Sequence, residues 1–290
     1  FFFFGIWMNT QRPEWNDANN ALVGNGISMV TLYYLRRFVN FFNSLLEKTD
    51  LISVEISFEL NEFFNDLHHA LNNNKKVIDS SISDQNRKKI VDLLGIAGSN
   101  FRNKIYDNGF SGTKSAIGIK EIKDFTILLL QYIDHSIDSN KRKDKLYHAY
   151  NLLTIKKDKI SVSYLPEMLE GQVAVLSSGY LSSKENLEVL DSLKSSKLFR
   201  DDQYSYILYP NKSLGLFLNK NTIPSFKVNE SKLLKELLND GNQQIISKDC
   251  ESSYHFNCDF NNVNGLISEL KNLPEKYNSL VKEEYNNILE

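Results

Sequence analysis

Six residues near the start of the chain, Arg12-Pro13-Glu14-Trp15-Asn16-Asp17, place two carboxylates, an indole, an amide and a guanidinium at the mouth of an apolar segment. Cleavage of a glycosidic bond needs these groups: a proton donor beside the leaving oxygen and stabilisation of an oxocarbenium-like sugar. A carboxylic acid beside an apolar ring has its pKa raised, so it still holds a proton near neutrality. Asp17 is the candidate acid. Trp15 offers a flat face for the C–H side of a pyranose, and Arg12, Glu14 and Asn16 offer directional bonds to hydroxyls. The same spacing also fits a plainer arrangement, in which Asp17 caps the next helix and Trp15 lies in the core.

The elements that must hold these residues are mostly helical. From about Asn19 to Thr49, Val23, Ile27, Val30, Tyr34, Phe38, Phe41 and Leu45 recur at spacings of three and four, widened by Leu32, Leu35, Phe42 and Leu46. This predicts a helix that is apolar around much of its circumference, like one packed inside a layered bundle. Gly24 and Gly26 near its start would permit close packing. Further helices are predicted over 56–72, 85–107 (capped at Ser83-Asp84) and 119–137. After Lys145 the texture changes. Residues 152–164 alternate, with Lys157-Asp158-Lys159 as a hairpin turn. Helices are expected at 167–176, from the Ser182-Ser183-Lys184-Glu185 capping box to about 195, at 232–238 and 263–270, and after Pro274. Tyr204 to Tyr209 reads as a short strand. The expected organisation is a helical segment over 1–145 and its continuation, with short β insertions, over 146–290.

The segment Glu14-Trp15-Asn16-Asp17-Ala18-Asn19-Asn20 resembles the Asp-Trp-Asn-Asp-Gly-x-Asn stretch of the cellobiose/chitobiose phosphorylase family, glycoside hydrolase family 94. The element count predicts a mainly α fold with a minor β component after residue 150, arranged as an α-solenoid, a bundle or an α/α toroid, and the resemblance implies part of an (α/α)6 toroid. It implies inverting cleavage of an oligosaccharide or other glycoside, phosphorylase-like or hydrolytic, with Asp17 as general acid and Trp15 at the sugar site. Glu14 and Ala18 replace the family's Asp and Gly. Inorganic phosphate is the co-substrate of a phosphorylase, and no other cofactor is implied. A toroid that has lost activity, serving as a carbohydrate-binding or protein-interaction module, is the alternative.

If water attacks instead of phosphate, a second carboxylate must lie roughly 6.5–9.5 Å from the acid. Glu167 and Glu170 are the candidates, with Gln172 as a hydroxyl ligand, although a Glu-rich first helical turn suits the helix dipole equally. The Gly109-Phe110-Ser111-Gly112-Thr113-Lys114-Ser115 loop has residue types that suit phosphate, but lacks the spacing of a P-loop and reads as a surface loop. Tyr204, Tyr206 and Tyr209 suit either a sugar cleft or a half-buried strand. His68, His69, His135, His148 and His255 show no convergent pattern, so no metal is expected. Cys250 and Cys258 lack metal-site spacing and read as reduced thiols of a cytoplasmic protein.

A net charge of -2 gives no electrostatic case for nucleic acid or an anionic membrane. No apolar run approaches the ~20 residues that span a bilayer. The opening Phe1-Phe2-Phe3-Phe4 and the uncapped helical end both read as cuts through a longer bacterial protein.

Overall fold

A computed structural model describes residues 5–7, 26–211 and 221–289. The chain forms two compact units, Phe1–Asn211 and Lys212–Glu290, so the expected division at residue 145 falls inside the first.

The first unit opens with β1 (Ile6–Trp7) and β2 (Gly26–Ser28), paired antiparallel, with Ile6 opposite Ser28 and Trp7 opposite Ile27. The two strands are in intimate contact. A Cβ on Gly5, whose φ is +134°, would stand 2.9 Å from the Ser28 carbonyl carbon. Helix α1 (Met29–Leu46) follows β2 directly. Ser28 caps it, its Oγ accepting from the Thr31 N–H at 3.0 Å. Of the helix expected over 19–49, residues 19–25 lie outside the described residues, Gly26–Ser28 is strand, and the helix runs over Met29–Leu46. Gly26 belongs to a strand, held opposite Leu152.

Residues 56 and 57, expected at a helix start, are also strand. Strand β3 (Ser53–Ser57) runs into α2 (Phe58–Asn72), α3 (Asp84–Asn108) follows, and β4 (Lys114–Gly118) runs into α4 (Ile119–Asp138). The two strands form an antiparallel ribbon from Ser53 opposite Gly118 to Ser57 opposite Lys114. The alternation Ser-Val-Glu-Ile-Ser suits a strand, and the Ser57 hydroxyl then caps α2 through the Leu60 N–H.

The four helices lie in the spatial order α1, α4, α2, α3. Helices α1 and α4 are antiparallel, joined by Arg36 Nε to Asp134 Oδ1 at 2.6 Å and by the Thr126 hydroxyl to Asn43 at 3.2 Å. Helices α2 and α4 run parallel, with Phe64 edge-on to Phe125 and the Tyr132 hydroxyl donating to the Leu71 carbonyl at 2.6 Å. Helices α2 and α3 are antiparallel, with Phe63 stacked on Phe101 and Lys104 paired to Glu62.

Strands β5 (Tyr150–Ile155) and β6 (Ile160–Tyr164) form the expected hairpin and extend the first sheet, in the order β1-β2-β5-β6. Helices α5 (Leu169–Ser177) and α6 (Ser183–Lys194) and the ribbon of β7 (Phe199–Arg200) with β8 (Ser205–Tyr206) complete the unit. The predicted capping box forms: the Ser182 N–H donates to Glu185 at 2.9 Å and the Glu185 N–H donates to the Ser182 hydroxyl. The core gathers Ile27, Leu32, Tyr33, Ile133, Leu146 and Ala174.

The second unit contains β9 (Thr222–Ile223), α7 (Ser225–Glu230), α8 (Lys232–Asn239), β10 (Ile246–Lys248), β11 (Tyr254–Phe256), α9 (Val263–Asn272) and α10 (Asn278–Leu289). The strands are antiparallel in the order β10-β11-β9. Leu233, Leu237, Ile245, Ile246, Leu270 and Tyr277 form its separate core.

The chain is mainly α with a minor β component, as the periodicities predict, and strands also precede residue 150. No helix among the described residues is long and apolar enough to cross a membrane.

Candidate functional site

The residues with the strongest chemical pattern, Arg12, Glu14, Trp15, Asn16 and Asp17, lie outside the described residues. What is described is their attachment. The segment that carries them leaves β1 at Trp7 and returns in β2 at Gly26, and those strands are hydrogen-bonded neighbours. Both ends of the segment are thus anchored at one end of the β1-β2-β5-β6 sheet.

The second-carboxylate candidates belong to the same unit. Strand β5 pairs with β2, with Tyr150 opposite Ser28. Tyr150 is buried, and its hydroxyl donates to Glu170 Oε2 at 2.8 Å. Glu170 sits in the first turn of α5. That helix approaches β5 closely because residue 171 is glycine: a Cβ there would lie 3.0 Å from the Ala149 backbone. Gln172 is fully buried and locked by three bonds. Its Oε1 accepts from the Tyr147 N–H at 2.9 Å, and its Nε2 donates to the Tyr147 and Met168 carbonyls at 2.7 and 2.9 Å. Both amide hydrogens are engaged, so Gln172 positions α5 and is not a hydroxyl ligand.

Glu167, expected in the helix, precedes it, outside any helix or strand. Its Oε2 accepts from Arg142 Nη2 at 3.1 Å. Arg142 also clamps Asp144, with Nε 3.0 Å from each carboxylate oxygen and Nη2 2.8 Å from Oδ2. The Asp144 hydrogen bond, against the cost of burial, raises the Arg142 pKa further. Burial opposes ionisation of Asp144, but the Arg142 guanidinium and the Leu146 N–H outweigh it and hold its carboxyl below the usual range. Asp144, Glu167 and Asp191 line a groove of about 450 Å³ with Ser192, Ser195 and Lys197.

The two glutamates therefore differ chemically. Glu167 is tied to the Arg142 guanidinium, so one of its oxygens is already engaged. Glu170 accepts from one neutral hydroxyl, is partly exposed, and keeps lone pairs for a water.

In the 109–115 loop, the Ser111 N–H donates to Glu59 Oε1 at 2.9 Å, so an anion brought there meets a buried carboxylate. Tyr204 and Tyr206 pack on Phe199 at centroid distances of 5.5 and 5.2 Å. They and Tyr209 are exposed. His68 joins Phe64 and Phe125, His135 bonds the Ser80 carbonyl, and His255 pairs with Asp249 at 2.9 Å. His148 stacks on Tyr164, 4.4 Å between centroids. Burial, with the Arg142 charge, pushes the His148 ring down to about 4. Among the described residues no group of His, Cys, Asp and Glu could hold a metal ion. Cys250 and Cys258 are exposed free thiols.

Sequence reasoning missed the second unit's organising carboxylate. Glu284 on α10 is buried and caps α8, and it borders a cavity of about 510 Å³ with Lys227, Glu230, Phe256 and Asn287. No local spacing announces a cap that comes from fifty residues away.

Comparison with known proteins bears on this second unit. No curated protein matches the chain. Residues 214–290 match the family model of the GH149 phosphorylase insertion domain 2. The match covers nearly all of the second unit and relates it to the glycoside phosphorylases, through a family other than the one the Glu-Trp-Asn-Asp motif resembles.

Proposed function

We propose that the protein cleaves glycosidic bonds by inverting phosphorolysis, with Asp17 as general acid. The observation that carries this reading is the match of residues 214–290 to a phosphorylase insertion domain, reached independently of the motif at residues 14–20. Hydrolases and phosphorylases share the acid. The match favours phosphate over water as the nucleophile.

In this mechanism the Asp17 carboxyl gives its proton to the leaving glycosidic oxygen as the C1–O bond breaks. A phosphate oxygen bonds C1 from the opposite face, giving a sugar 1-phosphate of inverted configuration and a shortened glycoside. Trp15 forms the wall that keeps Asp17 protonated, and Arg12, Glu14 and Asn16 hold sugar hydroxyls. No base is needed, because phosphate arrives ionised. Glu170, which accepts from the neutral Tyr150 hydroxyl and not from a cation, is the second carboxylate of this reading should water compete.

The test is incubation of the protein with a panel of oligosaccharides, with and without inorganic phosphate. Sugar 1-phosphate released only with phosphate supports the reading. Free reducing sugar formed at the same rate without phosphate points to hydrolysis.

A further inference from the structure

The β5–β6 hairpin has a face that the core does not use. Leu153 and Ile160 are buried on its inner side, and Val162 packs against them. Side chains alternate along a strand, so the register places Thr154 opposite Ser161, and Leu152 opposite Ser163, on the outer side. Lys156 and Lys159 continue this row as the next opposed pair, with the Lys156 N–H donating to the Lys159 carbonyl at 2.8 Å.

The donors of the outer row are uncommitted. Among the described residues the Lys156, Lys157 and Lys159 ammonium groups have no carboxylate partner, although Asp158 lies between them in sequence. The Thr154, Ser161 and Ser163 hydroxyls likewise make no hydrogen bond there. By contrast Lys88, Lys104 and Lys145 of the same unit are paired with Asp92, Glu62 and Glu188. Like charges directly opposed across two strands repel, so Lys156 and Lys159 work against the hairpin unless an anion lies between them. The hairpin is held all the same: the buried Arg87, at the start of α3, donates to the Ile160 carbonyl at 2.5 Å.

The position of the row matters as much as its chemistry. Leu152 lies opposite Gly26, where the segment that carries Asp17 rejoins the sheet. Strand β5 runs on past that point, and Lys156 stands four residues, roughly 13 Å, further along. The hairpin tip therefore projects from the end of the sheet at which both ends of that segment are anchored.

We propose that the outer face of this hairpin binds a phosphate group, held between Lys156 and Lys159 with the Thr154 and Ser161 hydroxyls as further donors, at the approach to the Asp17 segment. The identity of the anion rests on the phosphorolytic reading, and the site itself on the register of the hairpin. A phosphate there accepts charge-assisted hydrogen bonds and relieves the repulsion of the opposed lysines. Lys157 at the tip adds to the field that draws an anion in. Inorganic phosphate and a sugar 1-phosphate present the same terminal oxygens to these donors.

The experiment is acetylation of the full chain by N-hydroxysuccinimidyl acetate, with the rate at each lysine read by peptide mass spectrometry. It is run in inorganic phosphate, in glucose 1-phosphate and in chloride at equal ionic strength, each anion at about 20 mM to saturate a millimolar site. The expected result is acetylation of Lys156 and Lys159 slowed about tenfold, as near-full occupancy of such a site requires, with the exposed Lys48 and Lys75 unchanged. Slowing by inorganic phosphate supports the proposal with the free ion as ligand, and slowing by glucose 1-phosphate alone supports it with the sugar phosphate. Equal rates in phosphate, glucose 1-phosphate and chloride overturn it. In Lys156→Gln/Lys159→Gln the remaining reporter, Lys157, should lose its protection, and protection that persists overturns the proposal. If phosphate protects these lysines while no oligosaccharide yields sugar 1-phosphate, the site stands and the phosphorolytic reading falls. Phosphate-dependent turnover with unprotected lysines does the reverse.

Discussion

The Glu284 carboxylate on α10 lies 2.8 Å from the Lys232 backbone N–H at the start of α8, so one helix holds the first turn of another. The same carboxylate accepts from the Ser231 hydroxyl and, at 3.2 Å, from the Leu233 N–H. The first N–H groups of a helix have no partner within it, and the dipole favours an anion there. Burial opposes the charge on Glu284, but these donors outweigh it and lower its pKa.

Glu284→Ala leaves those donors without an acceptor. The expected loss is about 2 kcal/mol from the second unit's stability, read as a lowered midpoint in urea unfolding followed by circular dichroism. Because the folded pKa is depressed, the contribution is present above the unfolded value of about 4.3 and disappears as pH falls below it. The wild type and the variant should therefore converge in acid.

His148 gives a second pH dependence, in the first unit. Its ring is held neutral down to about 4 by burial and by Arg142, against the opposing pull of Asp144. Well above about pH 6.5 both folded and unfolded rings are neutral. As pH falls from there towards 4, the unfolded chain takes up a proton that the native ring refuses, so stability drops by on the order of 2 kcal/mol. His148→Phe keeps the stack on Tyr164 and removes the titration. Its melting temperature should fall less than the wild type's between pH 6.5 and 4.5.

Gly171→Ala should destabilise the first unit by about 1–3 kcal/mol, the usual range for overpacking. The added methyl would press on the Ala149 backbone at 3.0 Å and strain the Gln172 bonds to Tyr147. Thermal unfolding measures the loss. A neutral result would mean that α5 shifts freely on β5.

How much of this was legible follows physical lines. Helices α3, α4 and α6 were legible because their signals are local: Ser83 and Ser182 cap where they stand, and the apolar periods run unbroken. The 150–164 hairpin was legible from alternation around Lys157–Lys159. The β3–β4 ribbon was not, because Ile56 suits a helical stripe as well as a strand, and only its pairing with Ser115, distant in sequence, decides. The outer face of α1, where Tyr34, Phe38, Phe41 and Leu45 stand exposed, was misjudged for a related reason. Its sequence carries two apolar seams, and only the partners α4 and α5 select the inner one. Among the site candidates, Gln172 looked like a free amide because its three partners, two of them on Tyr147, come from folding. Glu167 and Glu170 looked alike, and the structure separates them by giving one a cation and the other a tyrosine.

That separation is testable. If phosphate is the nucleophile, no base is used, and both Glu167→Gln and Glu170→Gln should keep phosphorolysis within a few-fold of the wild type. Any accompanying hydrolysis should fall by ~10²-fold or more in Glu170→Gln alone, the usual loss on removing a general base. Initial rates of sugar 1-phosphate and of free sugar from one substrate resolve the two.

The central claim is that Asp17 protonates the leaving oxygen. The direct test is the initial rate of sugar 1-phosphate formation from oligosaccharide and inorganic phosphate, comparing the wild type with Asp17→Asn at matched folding. The account predicts phosphate-dependent turnover in the wild type and a fall in kcat of ~10²-fold or more in Asp17→Asn, within the range for losing a general acid. Equal turnover in the two proteins would contradict it.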